Sequence, residues 1–123
     1  MLNGYRVLVV EDEAVVAEDL RATIEEAEGV VLGPFPTAGD ARALLKSGSA
    51  IDAAVLDVNV SDGMITPVLE ALCARGIPTV VCTGGEVPDD VRRRHPDLTV
   101  LAKPVRPARL IGELRRVSGG LSG

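Results

Sequence analysis

Hydrophobic and polar positions along the chain follow two alternating periods. Short runs rich in Val, Ile, Leu and Ala occupy residues 6–10, 30–33, 53–56, 79–82 and 99–102. Such runs, without the in–out alternation of a half-exposed strand, predict strands buried on both faces. Between them the period lengthens. Val16, Leu20 and Ile24 recur every four residues, with Glu18, Arg21 and Glu25 turned away, which predicts a first amphipathic helix. A second helix is expected over 38–45, with Thr37 as N-cap and Gly48 just past its end. The third carries Val68, Leu69, Leu72 and Cys73, and stops at Gly76 before Ile77-Pro78. The last carries Leu110, Ile111, Leu114 and Val117, with Pro107 in its first turn.

The fourth helix is the weak one. In EVPDDVRRRHPD only Val87 and Val91 are apolar at helical spacing. Two buried valines contribute about 3–6 kcal/mol gross, and ordering roughly eight residues costs more than that in backbone entropy. A short or mobile helix is expected there. Five strands alternating with five helices predict an α/β fold, a parallel sheet joined by right-handed crossovers and covered on both faces. Residues 1–118 are expected to form one domain, with 119–123 (GGLSG) a disordered tail.

Composition narrows the function. The 123 residues suffice for one cored domain. With 46% hydrophobic and 25% charged residues, the chain has the make-up of a globular protein. No segment has signal-peptide character or membrane-spanning length, so a cytoplasmic protein with no membrane partner is expected. A net charge of −5 argues against nucleic-acid binding. Arg92, Arg93 and Arg94 lie beside Asp89, Asp90 and Asp97 and read as a solvated helix face. Cys73 and Cys82 belong to no metal or CxxC spacing and are expected to be reduced, mostly buried small hydrophobes. His95, the single histidine, sits in a polar run and is expected at the surface. One histidine leaves no Ser-His-Asp or Cys-His site to assemble.

The polar residues that matter lie where strands end. Glu11 and Asp12 follow the first strand, Asp57 ends the third, Thr83 follows the fourth and Lys103 follows the fifth. In an open parallel sheet the carboxyl ends of the strands share one edge, where ligands bind. Two carboxylates about 4 Å apart repel by roughly 4 kcal/mol at an effective dielectric of 20. Three together require a proton or a cation. Oxygen ligands without histidine or thiolate suit Mg²⁺. A carboxylate cluster, a divalent cation, a lysine and a hydroxyl match the needs of phosphoryl chemistry, with one carboxylate as nucleophile.

The set Glu11-Asp12, Asp57, Thr83 and Lys103-Pro104 resembles the receiver domain of two-component response regulators, over residues 5–117. The resemblance implies a flavodoxin-like, doubly wound sheet of strand order 2-1-3-4-5. It implies that Asp57 accepts a phosphoryl group from a sensor histidine kinase. Asp12 and Asp57 would bind Mg²⁺ directly, Glu11 through water or at longer reach, and the backbone carbonyl of Asn59 would complete the set. Thr83 and Lys103 would hold phosphoryl oxygens, and Lys103-Pro104 would be a cis peptide. Where most receivers carry an aromatic switch residue, this chain has Val100. Thr83-Gly84-Gly85 after an Ile-Pro-led strand resembles single-domain receivers with a Phe-Ala-Thr-Gly-type motif, with Val81-Cys82 in place of Phe-Ala. Partners implied are the kinase and a histidine phosphotransfer protein or downstream regulator.

Other readings fit less well. A haloacid-dehalogenase-type phosphatase needs Asp-x-Asp after its first strand, where this chain has Glu-Asp-Glu. A Toprim-type nuclease needs a second aspartate where Asn59 stands. A flavodoxin-like binder would set Glu11 and Asp12 against a cofactor phosphate. A pseudo-receiver that docks partners without phosphate has no use for Asp57, Thr83 and Lys103 together.

Overall fold

A computed structural model describes residues 2–58 and 65–119 of the chain. Five strands alternate with five helices: β1 (Arg6–Val10), α1 (Ala14–Glu26), β2 (Val30–Phe35), α2 (Ala38–Lys46), β3 (Ala53–Asp57), α3 (Ile65–Ala74), β4 (Thr79–Thr83), α4 (Asp89–Arg94), β5 (Thr99–Ala102) and α5 (Pro107–Val117). The strands form one parallel sheet in the order β2-β1-β3-β4-β5. This is the doubly wound flavodoxin-like architecture that the residue pattern and the resemblance together led one to expect.

The alternation of side chains along each strand divides the core in two. Leu8, Val10, Ala54, Leu56 and Val81 face a layer completed by Ala38 and Ala41 of α2, Val68, Leu69 and Leu72 of α3, and Val91 of α4. Val7, Val9, Ala53, Val55, Val80, Cys82 and Leu101 face the opposite layer, built with Leu20 and Ile24 of α1 and Leu110 and Leu114 of α5. The central strands β1, β3 and β4 are thus buried on both faces, as uninterrupted apolar runs require.

The two edge strands depart from the expectation of full burial. Val30 and Val100 are both substantially exposed. An edge strand has one flank without a neighbour, and apolar composition alone does not tell edge from centre. β2 also runs two residues beyond the predicted 30–33, through a bulge. Its register against β1 shifts between Leu8 and Val10, Gly33 has φ 102°, and both Gly33-Pro34 and Lys103-Pro104 are cis. β3 and β4 each run one residue further than the apolar runs indicated, so Asp57 and Thr83 occupy last strand positions.

Helix ends follow local chemistry. The Thr37 hydroxyl accepts the Asp40 N–H at 3.1 Å, capping α2 as expected. On α1, Arg21 pairs with Glu18 and, at 2.8 Å, with Glu25. α4 has only six residues, held down by the buried Val87 and Val91, and its arginines are exposed. Cys73 is exposed rather than buried, because it falls at the outer side of the last turn of α3. Its Sγ lies 3.6 Å from His95 Nδ1. His95 is half-buried rather than fully at the surface, because the chain folds back over α3 after α4. Of the tail 119–123, residues 120–123 lie outside the described residues, as does Asn59. No helix among the described residues is long and apolar enough to cross a membrane.

Gly33 offers a direct check on the β2 bulge. A Cβ there would lie 2.6 Å from the Phe35 nitrogen and 3.0 Å from the Val9 carbonyl oxygen, at a backbone angle disfavoured for L-residues. Gly33→Ala should lower the unfolding free energy by about 1–3 kcal/mol in urea titration. Gly48→Ala, also at positive φ but with open space around it, should cost less.

Candidate functional site

The carboxyl ends of β1, β3, β4 and β5 bring the predicted polar residues together. Register explains how. Val10 pairs with Leu56, Asp57 with Cys82, and Thr83 with Ala102. Each strand therefore stops within one residue of its neighbour's stop, and the side chain that follows emerges at the same height. The Lys103 N–H donates to the Thr83 carbonyl at 2.8 Å, extending the ladder by one bond.

Glu11, Asp12 and Asp57 form an acidic triad in which one carboxylate oxygen from each lies within 4.8 Å of the others. Glu11 and Asp57 are buried. The Lys103 ammonium reaches into this cluster, 2.8 Å from Glu11 Oε1 and 3.2 Å from Asp57 Oδ2. Only 15% of the Lys103 side chain remains accessible, so little water screens these pairs. Thr83 is buried beside them, and its Oγ1 accepts the Gly85 N–H at 3.0 Å. That bond uses an acceptor position and leaves the hydroxyl hydrogen available to donate.

The charges shift one another's protonation. Burial pushes the Glu11 carboxyl up; the Lys103 ammonium pulls it down, and Asp57 pushes it up again, with a net rise. For Lys103, burial favours the neutral amine, but hydrogen bonds to Glu11 and Asp57 outweigh it and hold the ammonium above its ordinary value. Beneath the cluster, burial pushes the Cys82 thiol up to about 12, with smaller opposing effects of Lys103 and the acids. Cys82 is thus a neutral packing residue at physiological pH.

One lysine does not balance three carboxylates. Glu11 Oε1 is buried, and the Lys103 ammonium 2.8 Å away is its one cationic neighbour among the described residues. A hard divalent cation fits this donor set: three carboxylates that one ammonium does not neutralise, and no competing sulfur or imidazole within the triad.

One participant escaped the sequence reading. Glu13 lies 3.7 Å from the Lys103 ammonium, and its backbone N–H donates to Glu11 Oε2 at 3.2 Å. It is the N-cap of α1, so the chain turns there and brings its side chain back over the strand end. The i, i+2 spacing from Glu11 was the available signal. Asn59 lies outside the described residues, so its carbonyl stands as an expectation. Val100 is on the exposed side of β5, away from the triad. Beside Lys103 a cavity of about 570 Å³ opens between α1 and the start of α5, floored by Val16, Leu20 and Leu110 and rimmed by Glu13 and Asp19.

No family model matches the chain, and no curated protein matches it. Solved structures do. A response regulator receiver protein from Sinorhizobium medicae WSM419 superposes with a TM-score of 0.84 at 25% identity, covering 97% of this chain and 98% of that one. SdrG from Sphingomonas melonis Fr1 is 36% identical, with a TM-score of 0.79 over 95% of this chain and 98% of its own. The BeF3-activated conformation of SdrG, from Pseudomonas melonis Fr1, aligns at 41% identity and a TM-score of 0.71, over 89% of this chain and 94% of that one. Sheet order, acidic triad and these likenesses agree: the chain belongs to the response regulator receiver domain family.

Proposed function

We propose that the chain is a phosphoacceptor signalling domain in which Asp57 takes a phosphoryl group from the phosphohistidine of a sensor histidine kinase. The observation that carries this is the Lys103 ammonium, 3.2 Å from Asp57 Oδ2 in an acidic cluster whose Glu11 and Asp57 are buried. An Asp57 oxygen attacks phosphorus, the O–P bond forms, the N–P bond breaks, and its electron pair leaves on the imidazole nitrogen. Lys103 and the Thr83 hydroxyl then hold phosphoryl oxygens, and both are already constrained by neighbouring groups. Asp12 and Asp57, with Glu11 through water and the Asn59 carbonyl, would hold Mg²⁺. When bound, that ion supplies positive charge that offsets the phosphoryl oxygens.

The apolar cavity beside Lys103 adjoins the acceptor and gives a donor's helix somewhere to rest while its histidine approaches. Residues 1–118 form the receiver unit. Val100, Thr83-Gly84-Gly85 and the similarity to SdrG support membership of the single-domain subgroup with a Phe-Ala-Thr-Gly-type motif. Signalling then proceeds by docking or by onward phosphotransfer through a histidine phosphotransfer protein. A metal-dependent phosphatase would instead turn over external phosphomonoesters.

Incubation with Mg²⁺ and acetyl phosphate should add one phosphoryl group to the intact mass, and Asp57→Ala should abolish the gain. Turnover of a phosphomonoester with no mass gain would overturn the proposal.

Mg²⁺ alone should raise the melting temperature. Asp12→Asn should raise the metal-free melting temperature, because repulsion is relieved, and should blunt the Mg²⁺ increment. An unchanged melt across millimolar Mg²⁺ would refute the metal set.

Acidity should act in a defined direction. The native state holds the Glu11 proton more tightly than the unfolded chain does, so this group's contribution to metal-free stability falls as pH rises above its ordinary 4.5. The Lys103 contribution is lost only at pH above its ordinary 10.5. The Mg²⁺ increment should therefore shrink as pH falls toward the carboxylate range, and Glu11→Gln should flatten that dependence in thermal melts.

A further inference from the structure

Cys73 and His95 are far apart in sequence and meet in space. Cys73 stands in the last turn of α3, and His95 is the C-cap of α4. The Cys73 Sγ lies 3.6 Å from His95 Nδ1. Both residues line a groove of about 380 Å³, together with Arg94, Asp97, Thr79 and Thr99. Thr79 and Thr99 are the first residues of β4 and β5. The groove therefore lies at the opposite end of the sheet from the acidic triad. Cys73 is exposed, so solutes reach its sulfur. His95 Nε2 is buried with no hydrogen-bond partner among the described residues. Nδ1, beside the exposed thiol, is thus the ring nitrogen open to a ligand.

The donor elements and their spacing select the ligand. Thiolate with imidazole suits zinc and copper, and is a poor match for Mg²⁺. Zinc bonds of about 2.3 Å to sulfur and about 2.0–2.1 Å to nitrogen, at a tetrahedral angle of about 109°, set the two donors roughly 3.5 Å apart. The observed separation is that of two adjacent corners. Without metal, the same separation suits a hydrogen bond between thiol and ring. Burial and the nearby Glu70 carboxylate push the Cys73 thiol above its ordinary 9.0, which disfavours a nucleophilic or redox role. A metal that replaces the thiol hydrogen, released to solvent, removes that penalty. Arg94, the cation that would repel a metal here, is paired with Glu70. No third histidine, cysteine or carboxylate donor lies within 4.8 Å of both among the described residues. Asp97, exposed and on the same groove, reaches the pair by rotation of its side chain.

We propose that Cys73 and His95 form a zinc site, with Sγ and Nδ1 as two corners of a tetrahedron, the Asp97 carboxylate as the third and water as the fourth. The metal ties the end of α3 to the C-cap of α4, a helix of only six residues. This site shares no residue with the acidic triad, and it stands whether or not Asp57 is phosphorylated.

The test is a titration of the reduced whole chain with Co²⁺, a spectroscopic stand-in for zinc. A thiolate-to-cobalt charge-transfer band and the visible bands of tetrahedral cobalt should appear, saturate at one metal per chain, and vanish when Zn²⁺ displaces the cobalt. The acidic triad holds no sulfur, so it cannot give the thiolate band. Cys73→Ser and His95→Gln should each abolish the bands, and Asp97→Asn should shift the titration to higher cobalt. Thermal melts check that each variant keeps its fold. In amide NMR, Zn²⁺ should shift the signals of Cys73, His95 and their neighbours. The proposal is overturned if millimolar cobalt gives no thiolate band, if the band survives His95→Gln, which would mean a thiol acting alone, or if it survives Cys73→Ser. Saturation at half a metal per chain, with dimerisation in sedimentation, would overturn it in favour of a site shared between two copies.

Discussion

Everything at this sheet edge follows from the repulsion among three carboxylates held together by strands that cannot move apart. Hydrophobic burial on both faces fixes β1, β3 and β4 in place, so Glu11, Asp12 and Asp57 cannot relax away from one another. The Lys103 ammonium offsets part of this repulsion and leaves the rest unbalanced. That residual charge makes the triad a fit donor set for a divalent cation. The core thus contributes to chemistry indirectly, by preventing the local rearrangement that would otherwise quench the site.

Much of this was legible in the residues. Central strands declared themselves as unbroken apolar runs, and the polar residues at their ends could be placed on one edge before any coordinates were known. Strand order came from the resemblance, since apolar runs say which segments are strands but not which are neighbours. The edge strands show that limit: VVLG and TVLA read like the central runs, yet both are partly open to solvent. The β2 bulge depends on Gly33-Pro34 geometry against Phe35 and Val9, a tertiary contact. Cys73 was misplaced because its helical phase leaves it at the margin of the buried stripe. Glu13 was visible as a charge but not as a neighbour of Lys103, because that contact forms only when the chain turns at the start of α1.

The distribution of charge carries its own meaning. A net charge of −5 describes the whole chain and argues correctly against general affinity for nucleic acid. It hides the uneven placement of the basic residues, eight of the 13 lying between Arg92 and Arg116. The short α4 is anchored by the buried Val87 and Val91 and by the ion pair of Arg94 with Glu70 of α3.

The hydrogen bond from the Lys103 nitrogen to the Thr83 carbonyl has a mechanical consequence. It splices the ends of β4 and β5, so the Thr83 hydroxyl and the Lys103 amine are mounted on one stiff bracket. A displacement of either strand tip carries both groups together. This end of the sheet should therefore tighten or loosen as a single jaw, rather than by independent motion of two side chains.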